Sequence, residues 1–178
     1  MTIRIFNSYR TDKDLGRACN QDMALLSNED WACLMDYDTC FLLPSTISHL
    51  YQYAERFSHV GMFTCFTNRI HELSSAQYLG KAPSEDFDIR NHIEIARNQE
   101  RKLYEATPLT KEVSGFLMLI SKRTWNQFKF REGIGCLGVD NSFCWELMAS
   151  GKSIYRMDGI YVWHTYRAFD IRDKSHLK

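Results

Sequence analysis

The sequence predicts an α/β fold in which a mixed central sheet is flanked by helices. Short apolar runs typical of strands alternate with longer segments whose apolar residues recur at helical spacing. Hydrophobic residues make up 44% of the 178 residues, which is enough for a sizeable core. The length fits one domain, and neither an internal repeat nor a low-complexity segment is visible. These observations predict a compact single domain over residues 1–178.

The first third of the chain alternates strands with helices. A first helix is predicted to begin at Thr11–Asp12, and its apolar stripe consists of Leu15, Ala18, Cys19, Met23 and Leu26. A second helix is predicted from Pro44, which suits a first turn, to about Tyr53. Continuous apolar runs predict the strands of this third at residues 3–8, 31–35 and 60–66.

The middle of the chain is polar and has a weaker pattern. Residues 68–112 contain a helical stretch from about Asp88 to Glu105 with a thin apolar stripe, and residues 81–86 are typical of a loop. This segment is expected to be a solvated helix, an edge insertion or a lid. Residues 168–178 are expected to form a tail.

Regular alternation returns in the last third. Residues 113–120 predict a strand containing Ser114-Gly115, and a short helix over 122–128 follows. A glycine-punctuated loop, 131–138, leads into a helix that begins at Val139-Asp140-Asn141 and ends at about Ser150, before Gly151. The last predicted strands are residues 153–156 and 160–164.

The charge balance excludes several classes of partner. Lys and Arg number 22, as do Asp and Glu, so the chain is not expected to bind nucleic acid or a membrane by bulk electrostatics. The longest apolar run, 115–120, is far shorter than the ~20 residues that span a bilayer. Residues 1–6 predict a strand rather than a secretory leader, so we expect a cytoplasmic protein without a transmembrane segment.

The six cysteines lack the close pairing that structural zinc requires. None of them forms a CxxC motif, and most lie among apolar neighbours, where cysteine behaves as a small buried hydrophobe. They are predicted to be reduced thiols, mostly buried, in a cytosolic protein.

A pair of carboxylates follows the second predicted strand. Asp36 and Asp38 flank Tyr37, and residues at i and i+2 of an extended chain lie on the same side. Ligands of open α/β sheets bind at the carboxyl ends of strands, and two hard oxygen donors there suit Mg²⁺ or Mn²⁺. Aspartate is also common in the turns that end strands, so the pair alone leaves both interpretations open.

One chemistry that uses such a pair is phosphoryl hydrolysis with a nucleophilic aspartate. The stretch Leu34-Met-Asp-Tyr-Asp-Thr39 is close to the DxDx[TV] pattern of those phosphatases, but Thr39 comes one position early. The late segment Gly138-Val-Asp-Asn141 offers no second aspartate on the same turn. A strand and a helix also precede the pair here, whereas that fold expects it on the first strand.

Five short motifs follow one another between residues 15 and 167. They are Leu15-Gly-Arg-Ala-Cys-Asn20, Trp31-Ala-Cys-Leu-Met-Asp-Tyr-Asp38, Ser114-Gly-Phe-Leu-Met-Leu-Ile-Ser-Lys122, Gly138-Val-Asp-Asn-Ser-Phe143 and Val162-Trp-His-Thr-Tyr-Arg167. In this order they resemble glycosyltransferases of the GT-A fold, especially the family 2-like and the galactosyl- and GalNAc-transferase groups. The resemblance implies transfer of a sugar from a nucleotide-sugar donor, which is expected to be UDP-linked, to an acceptor hydroxyl.

The resemblance also implies roles for individual residues. Asp38 and His164 bind Mn²⁺ or Mg²⁺ together with the donor diphosphate, and Asp36 contacts the ribose or a metal-bound water. Arg167 could add a contact to the diphosphate. Asn20 and Gly115 occupy motif positions on the donor side.

Asp140 is the implied catalytic carboxylate. In inverting members, the acid at this position is the general base that deprotonates the acceptor hydroxyl. In retaining members, the segment binds the donor sugar or the acceptor, and Asn141 is the expected acceptor-binding neighbour. The stereochemical outcome stays open, and a helix-capping role would also explain an aspartate here.

The amino-terminal part departs from the family pattern. One strand–helix unit of the nucleotide-binding half is missing, so the residues that bind the base are not marked by a motif. Tyr9, Arg10 and Arg17 are the local candidates for stacking on a base or meeting phosphate. The shortened half leaves a second hypothesis, a non-catalytic GT-A-like domain that binds a nucleotide or a glycan.

Overall fold

The computed structural model describes residues 1–70, 75–79 and 87–165. In this part of the chain, one seven-stranded mixed sheet is flanked by helices, which confirms the predicted α/β class. The strands are β1 (Ile3–Phe6), β2 (Trp31–Met35), β3 (Thr39–Phe41), β4 (Met62–Thr67), β5 (Ala106–Leu109), β6 (Leu117–Ser121) and β7 (Ile154–His164). The helices are α1 (Leu15–Ala24), α2 (Thr46–Arg56), α3 (Ile89–Glu100), α4 (Lys122–Gln127) and α5 (Val139–Ala149).

The strand order brings four carboxyl ends to one edge of the sheet. The order is β1-β2-β6-β4-β7-β3, and β5 also pairs with β7. β1 is parallel to β2 and β4 is parallel to β7, while β6 is antiparallel to both β2 and β4. Consequently β1, β2, β4 and β7 run in the same direction. We call the edge where they end the carboxyl edge.

A flat sheet could not accommodate the short connection between β2 and β3. Three strands lie between them in the sheet order, which would separate their axes by about 19 Å in a flat sheet. Residues 36–38 are the whole connection, and the four steps from Met35 to Thr39 reach at most about 14 Å. The sheet is therefore curled, so that the end of β2 approaches the end of β7, where β3 pairs.

The sheet is covered on both faces, as β2 illustrates. All five residues of β2 are buried. Ala32 and Leu34 pack in a cluster with residues of α1 and α5, whereas Trp31, Cys33 and Met35 pack on the opposite face with residues of α2. Burial on both faces explains why this strand is a continuous apolar run rather than an alternating one.

The loop that precedes α5 is held against α1. Gly16 approaches this loop so closely that a Cβ would lie 2.0 Å from the carbonyl oxygen of Arg131, so only glycine fits. Asp14 caps α1 by accepting a hydrogen bond from the N–H of Arg17, and its second oxygen accepts one from the N–H of Gly133. The start of α5 is thereby positioned by the amino-terminal helix.

The structure corrects several predicted boundaries in the first half of the chain. β1 ends at Phe6 rather than at residue 8, and α1 begins at Leu15 because Asp14 is its cap. The helix predicted from Pro44 begins at Thr46 and continues to Arg56. The strand predicted over 60–66 is Met62–Thr67.

Larger corrections fall in the second half. The helix predicted over 88–105 ends at Glu100, and β5 follows it within the segment expected to be an insertion or lid. The strand predicted over 113–120 begins only at Leu117. The two predicted strands at 153–156 and 160–164 form one strand, β7, whose pairing with β4 shifts register after Met157.

Two further expectations concern membranes and thiols. None of the described helices has both the length and the apolar character needed to cross a membrane. All six cysteines are free thiols, and four of them are buried, whereas Cys40 and Cys136 are exposed.

The amide of Asn20 joins α1 to α4 and to the chain that leads into the loop before α5. It accepts hydrogen bonds from Trp125 Nε1 and the N–H of Phe130, and it donates to the Phe130 carbonyl and to Glu132. Asn20→Ala should lower the free energy of unfolding by about 2 to 4 kcal/mol, because two largely buried donors lose their acceptor. Urea denaturation would measure the change.

The matched control is Asn28→Ala, which removes an exposed asparagine. This variant should change the free energy of unfolding by less than about 0.5 kcal/mol. Equal losses in the two variants would contradict the structural role of Asn20.

Candidate metal centre

Three predicted metal ligands meet at the carboxyl edge. Asp36 and Asp38 follow β2, and His164 is the last residue of β7. One ligand atom from each residue lies within 4.8 Å of the others. The curl of the sheet brings them together. It allows the turn that carries both aspartates to connect β2 with β3, and β3 pairs with β7, which ends in His164.

The distances in this cluster suit one cation. His164 Nε2 lies 3.3 Å from Asp38 Oδ1 and 4.0 Å from Asp36 Oδ2. Ligand atoms that share an octahedral ion at about 2.1 Å are separated by about 3 to 4.2 Å. The residues present therefore fit a divalent cation: the two carboxylates are hard oxygen donors of the kind that Mg²⁺ and Mn²⁺ prefer, and the imidazole also suits Zn²⁺ or Fe²⁺.

The His164 ring is oriented by its surroundings. Its Nδ1 lies 2.9 Å from the carbonyl oxygen of Arg69, so Nδ1 must carry the proton of that hydrogen bond. The neutral ring then has its lone pair on Nε2, the atom that faces both carboxylates. The ring also stacks on Phe116 at 5.2 Å between centroids, and its side chain is only 2% exposed. A backbone carbonyl that fixes the tautomer is typical of metal-binding histidines.

The backbone of the acidic turn is fixed as well. The N–H of Asp36 donates to the carbonyl of Phe116, and the Asp36 carbonyl accepts from the N–H of Thr39. The Asp38 carbonyl accepts from both the N–H and the hydroxyl of Thr165, which continues the pairing of β3 with β7. Both carboxylates therefore extend from a backbone that is held on two sides.

The electrostatics of the cluster favour a bound cation. Burial raises the pKa of Asp36 above its ordinary value, His164 opposes that rise, and the negative charges of Asp38 and Asp140 add to it. The Asp36 side chain is 47% exposed, so this carboxylate lies at the mouth of the site with one side against protein. A divalent cation would relieve the repulsion between the carboxylates.

Asp140 lies on the other side of a short backbone segment. One of its carboxylate oxygens accepts a hydrogen bond from the N–H of Gly115 at 2.8 Å, and the other accepts from the N–H of Asn141. The next residue, Phe116, stacks on His164. Asp140 and the metal cluster are therefore joined through two consecutive residues, Gly115 and Phe116.

Asp140 and Asn141 also line a cavity of about 860 Å³. Its charged lining residues are Lys111, Arg156, Glu112 and Asp140, so the formal charges balance. Aliphatic and hydroxyl side chains form much of the remaining wall, including Ile70, Leu109, Val113, Thr107, Thr110 and Ser114. A balanced, mixed wall of this kind suits an uncharged polar ligand better than an anion.

The predicted donor-binding residues of the amino-terminal part are engaged within the protein. Arg10 forms an ion pair with Asp12 at 2.9 Å, and Arg17 forms one with Glu132 at 3.0 Å. The Asn20 amide contacts the loop before α5, as described above. Tyr9 is 78% exposed. Donor binding by these residues stays a prediction.

Gly115 and Arg167 are the remaining predicted donor-binding residues, and the structure describes only Gly115. The N–H of Gly115 contacts Asp140, and a Cβ at this position would lie 2.9 Å from the Asp140 Cβ, so glycine is needed for this close approach. Arg167 lies outside the described residues, as does the 168–178 tail.

Sequence reasoning missed the residues that support the cluster. Asn68 accepts a hydrogen bond from the N–H of His164, and the Arg69 carbonyl holds the His164 ring. Both are buried and directly follow β4. The sequence did contain a signal for them. Asn68 and Arg69 are polar residues that directly follow an apolar strand, as Asp36 and Asp38 follow β2.

No known protein family matches this chain, and neither a curated protein nor a solved structure matches it. Interpretation of the site therefore depends on the geometry of its own residues.

The cluster predicts metal binding without any other ligand. Asp38→Asn and His164→Ala should each weaken Mn²⁺ binding by more than about tenfold, because each removes one of three ligand atoms. Calorimetric titration of the protein with Mn²⁺ would measure this. His59→Ala, which removes an exposed histidine, is the control and should bind Mn²⁺ like the original protein. Equal affinities in all four proteins would exclude this metal site.

Proposed function

We propose that this protein is a metal-dependent glycosyltransferase that moves a sugar from a UDP-linked donor to an acceptor hydroxyl. The observation that most supports this is the Asp36–Asp38–His164 cluster at the carboxyl edge, with Asp140 and a cavity beside it. The order of the sequence motifs agrees with the GT-A family, and the mixed sheet flanked by helices is compatible with that fold. The free thiols support a cytoplasmic location.

The metal cluster is the donor side of the proposed site. Asp38 and His164 hold the cation, and Asp36 contacts the ribose or a metal-bound water. A divalent cation held by these residues would neutralise the charge that develops on the leaving diphosphate. One imidazole and one or two carboxylates would leave room in the ligand set for diphosphate oxygens.

The cavity is the acceptor side. Its balanced charges suit a neutral hydroxyl-bearing acceptor, and Asp140 projects a carboxylate at its wall. In an inverting reaction, Asp140 takes the proton of the attacking hydroxyl. In a retaining reaction, Asp140 and Asn141 hold the acceptor or the donor sugar. Asp140 is close enough to the cluster to influence the pKa of Asp36.

Nucleotide binding should depend on the metal cluster. UDP should bind in the presence of Mn²⁺, and Asp38→Ala and His164→Ala should each abolish that binding because the diphosphate then lacks its cation. Calorimetry with UDP, with and without Mn²⁺, would measure it. Unchanged metal-dependent UDP affinity in both variants would overturn the donor side of the proposal.

Asp140 should matter for turnover rather than for nucleotide binding. The assay contains Mn²⁺ with UDP-galactose, UDP-glucose or UDP-N-acetylgalactosamine. If the reaction is inverting, Asp140→Asn should slow UDP release by about a hundredfold or more, because the base is lost. Its UDP affinity should stay unchanged. Glu146→Gln neutralises an exposed carboxylate on the same helix and should leave the rate unaltered.

A second candidate is a non-catalytic domain that binds a nucleotide diphosphate or a glycan. It is favoured by one observation: Arg10, Arg17 and Asn20 are occupied by intramolecular contacts on the side where a donor base is expected. Metal-dependent UDP binding without any UDP release from the three UDP-sugars would select this candidate. Hydrolysis of an aryl phosphate that is lost in Asp36→Asn would instead select a phosphatase.

A further inference from the structure

Gln77 is a fully buried glutamine whose side-chain amide forms hydrogen bonds with both the carbonyl and the N–H of Ser114. It is 0% exposed and lies in the described segment 75–79, which pairs with the end of β4. Its Nε2 donates to the carbonyl of Ser114 at 2.9 Å and to the hydroxyl of Thr64 at 2.6 Å. Its Oε1 accepts from the N–H of Ser114 at 2.8 Å. The reverse amide orientation would set Nε2 against the Ser114 N–H, donor against donor.

The hydrogen bond from Gln77 to the Ser114 carbonyl is linked to Asp140 through one peptide group. The Ser114 carbonyl, which accepts from Gln77, and the Gly115 N–H, which donates to Asp140, belong to the same peptide bond. A trans peptide is planar, so these two groups point in opposite directions and move together. A hydrogen bond to the carbonyl also polarises the peptide and strengthens donation by its N–H.

We propose that Gln77 is a positioning residue that fixes the Asp140 carboxylate through the Ser114–Gly115 peptide group. This inference extends the proposed function, in which Asp140 acts at the wall of the acceptor cavity. Gln77 holds one end of the peptide and Asp140 contacts the other, while the absence of a side chain at Gly115 allows the carboxylate to approach. Gln77 restrains the rotation of this peptide, and the Gly115 N–H and the Asn141 N–H together orient the Asp140 carboxylate.

The test uses the amide resonance of Gly115 in ¹⁵N-labelled protein. Gln77→Met keeps the length of the side chain and removes its hydrogen bonds, so the Gly115 amide proton should move upfield as its bond to Asp140 weakens. Gln99→Ala, which removes another buried glutamine, should leave that resonance in place. A folded Gln77→Met protein with an unshifted Gly115 resonance would overturn the proposal.

A reciprocal measurement leaves Gln77 intact and covers the case in which Gln77→Met does not fold. Asp140→Asn replaces the charged acceptor by a neutral one, so the peptide should be less polarised and the side-chain amide protons of Gln77 should move upfield. The side-chain amide of Gln99 serves as the internal reference. Unchanged Gln77 resonances would contradict the link.

Turnover provides the functional measurement. If the proposed transferase activity holds, Gln77→Met should lower kcat for UDP release by about ten- to hundredfold, while KM for the UDP-sugar and Mn²⁺ affinity stay unchanged. A kcat equal to that of the original protein would overturn the positioning role. Failure of the original protein to release UDP would count against the proposed function alone, since the resonance tests need no activity.

Discussion

The short turn between β2 and β3 is the constraint on which the candidate site depends. Residues 36–38 must connect strands that lie four positions apart in the sheet order, and only a curled sheet allows it. The curl has a chemical result, because it brings the aspartates of that turn to the histidine at the end of β7. Backbone bonds from Phe116 and Thr165 then fix the turn, so fold and ligand geometry have one cause.

Sequence patterns predicted the helices and strands that have a clear signal in their own local sequence. β2 and α5 were predicted closely because an apolar run and a glycine-preceded helix are local signals. β3 and β5 were not, because each is short and owes its extended shape to pairing with β7, and Pro108 makes β5 an unpromising strand. β7 was expected as two strands, 153–156 and 160–164. Between them, the N–H of Asp158 donates to the carbonyl of Glu105 and the N–H of Gly159 donates to the hydroxyl of Tyr53, so the strand continues.

The residues of the candidate site also differ in whether the sequence could point to them. Asp36 and Asp38 could be placed at a ligand-binding edge from sequence, because they follow a strand of an α/β sheet. His164 was joined to them only through the resemblance to the GT-A family. Gln77 could not be placed at the site from sequence, since its partner Ser114 lies far along the chain and both belong to polar stretches without periodicity. The motif residues Gly16 and Asn20 serve to hold a loop to α1, a role that a linear pattern cannot separate from ligand binding.

His164 is synthesised well after Asp36 and Asp38, and this order affects when the three side chains can meet. Both aspartates follow β2, whereas β7, which pairs with β3, β4 and β5, is the last of the described strands to emerge. During synthesis, the two carboxylates exist without their histidine and without the strand that closes the sheet. A cation that needs all three ligand atoms could therefore bind only after β7 has been made and has paired in the sheet.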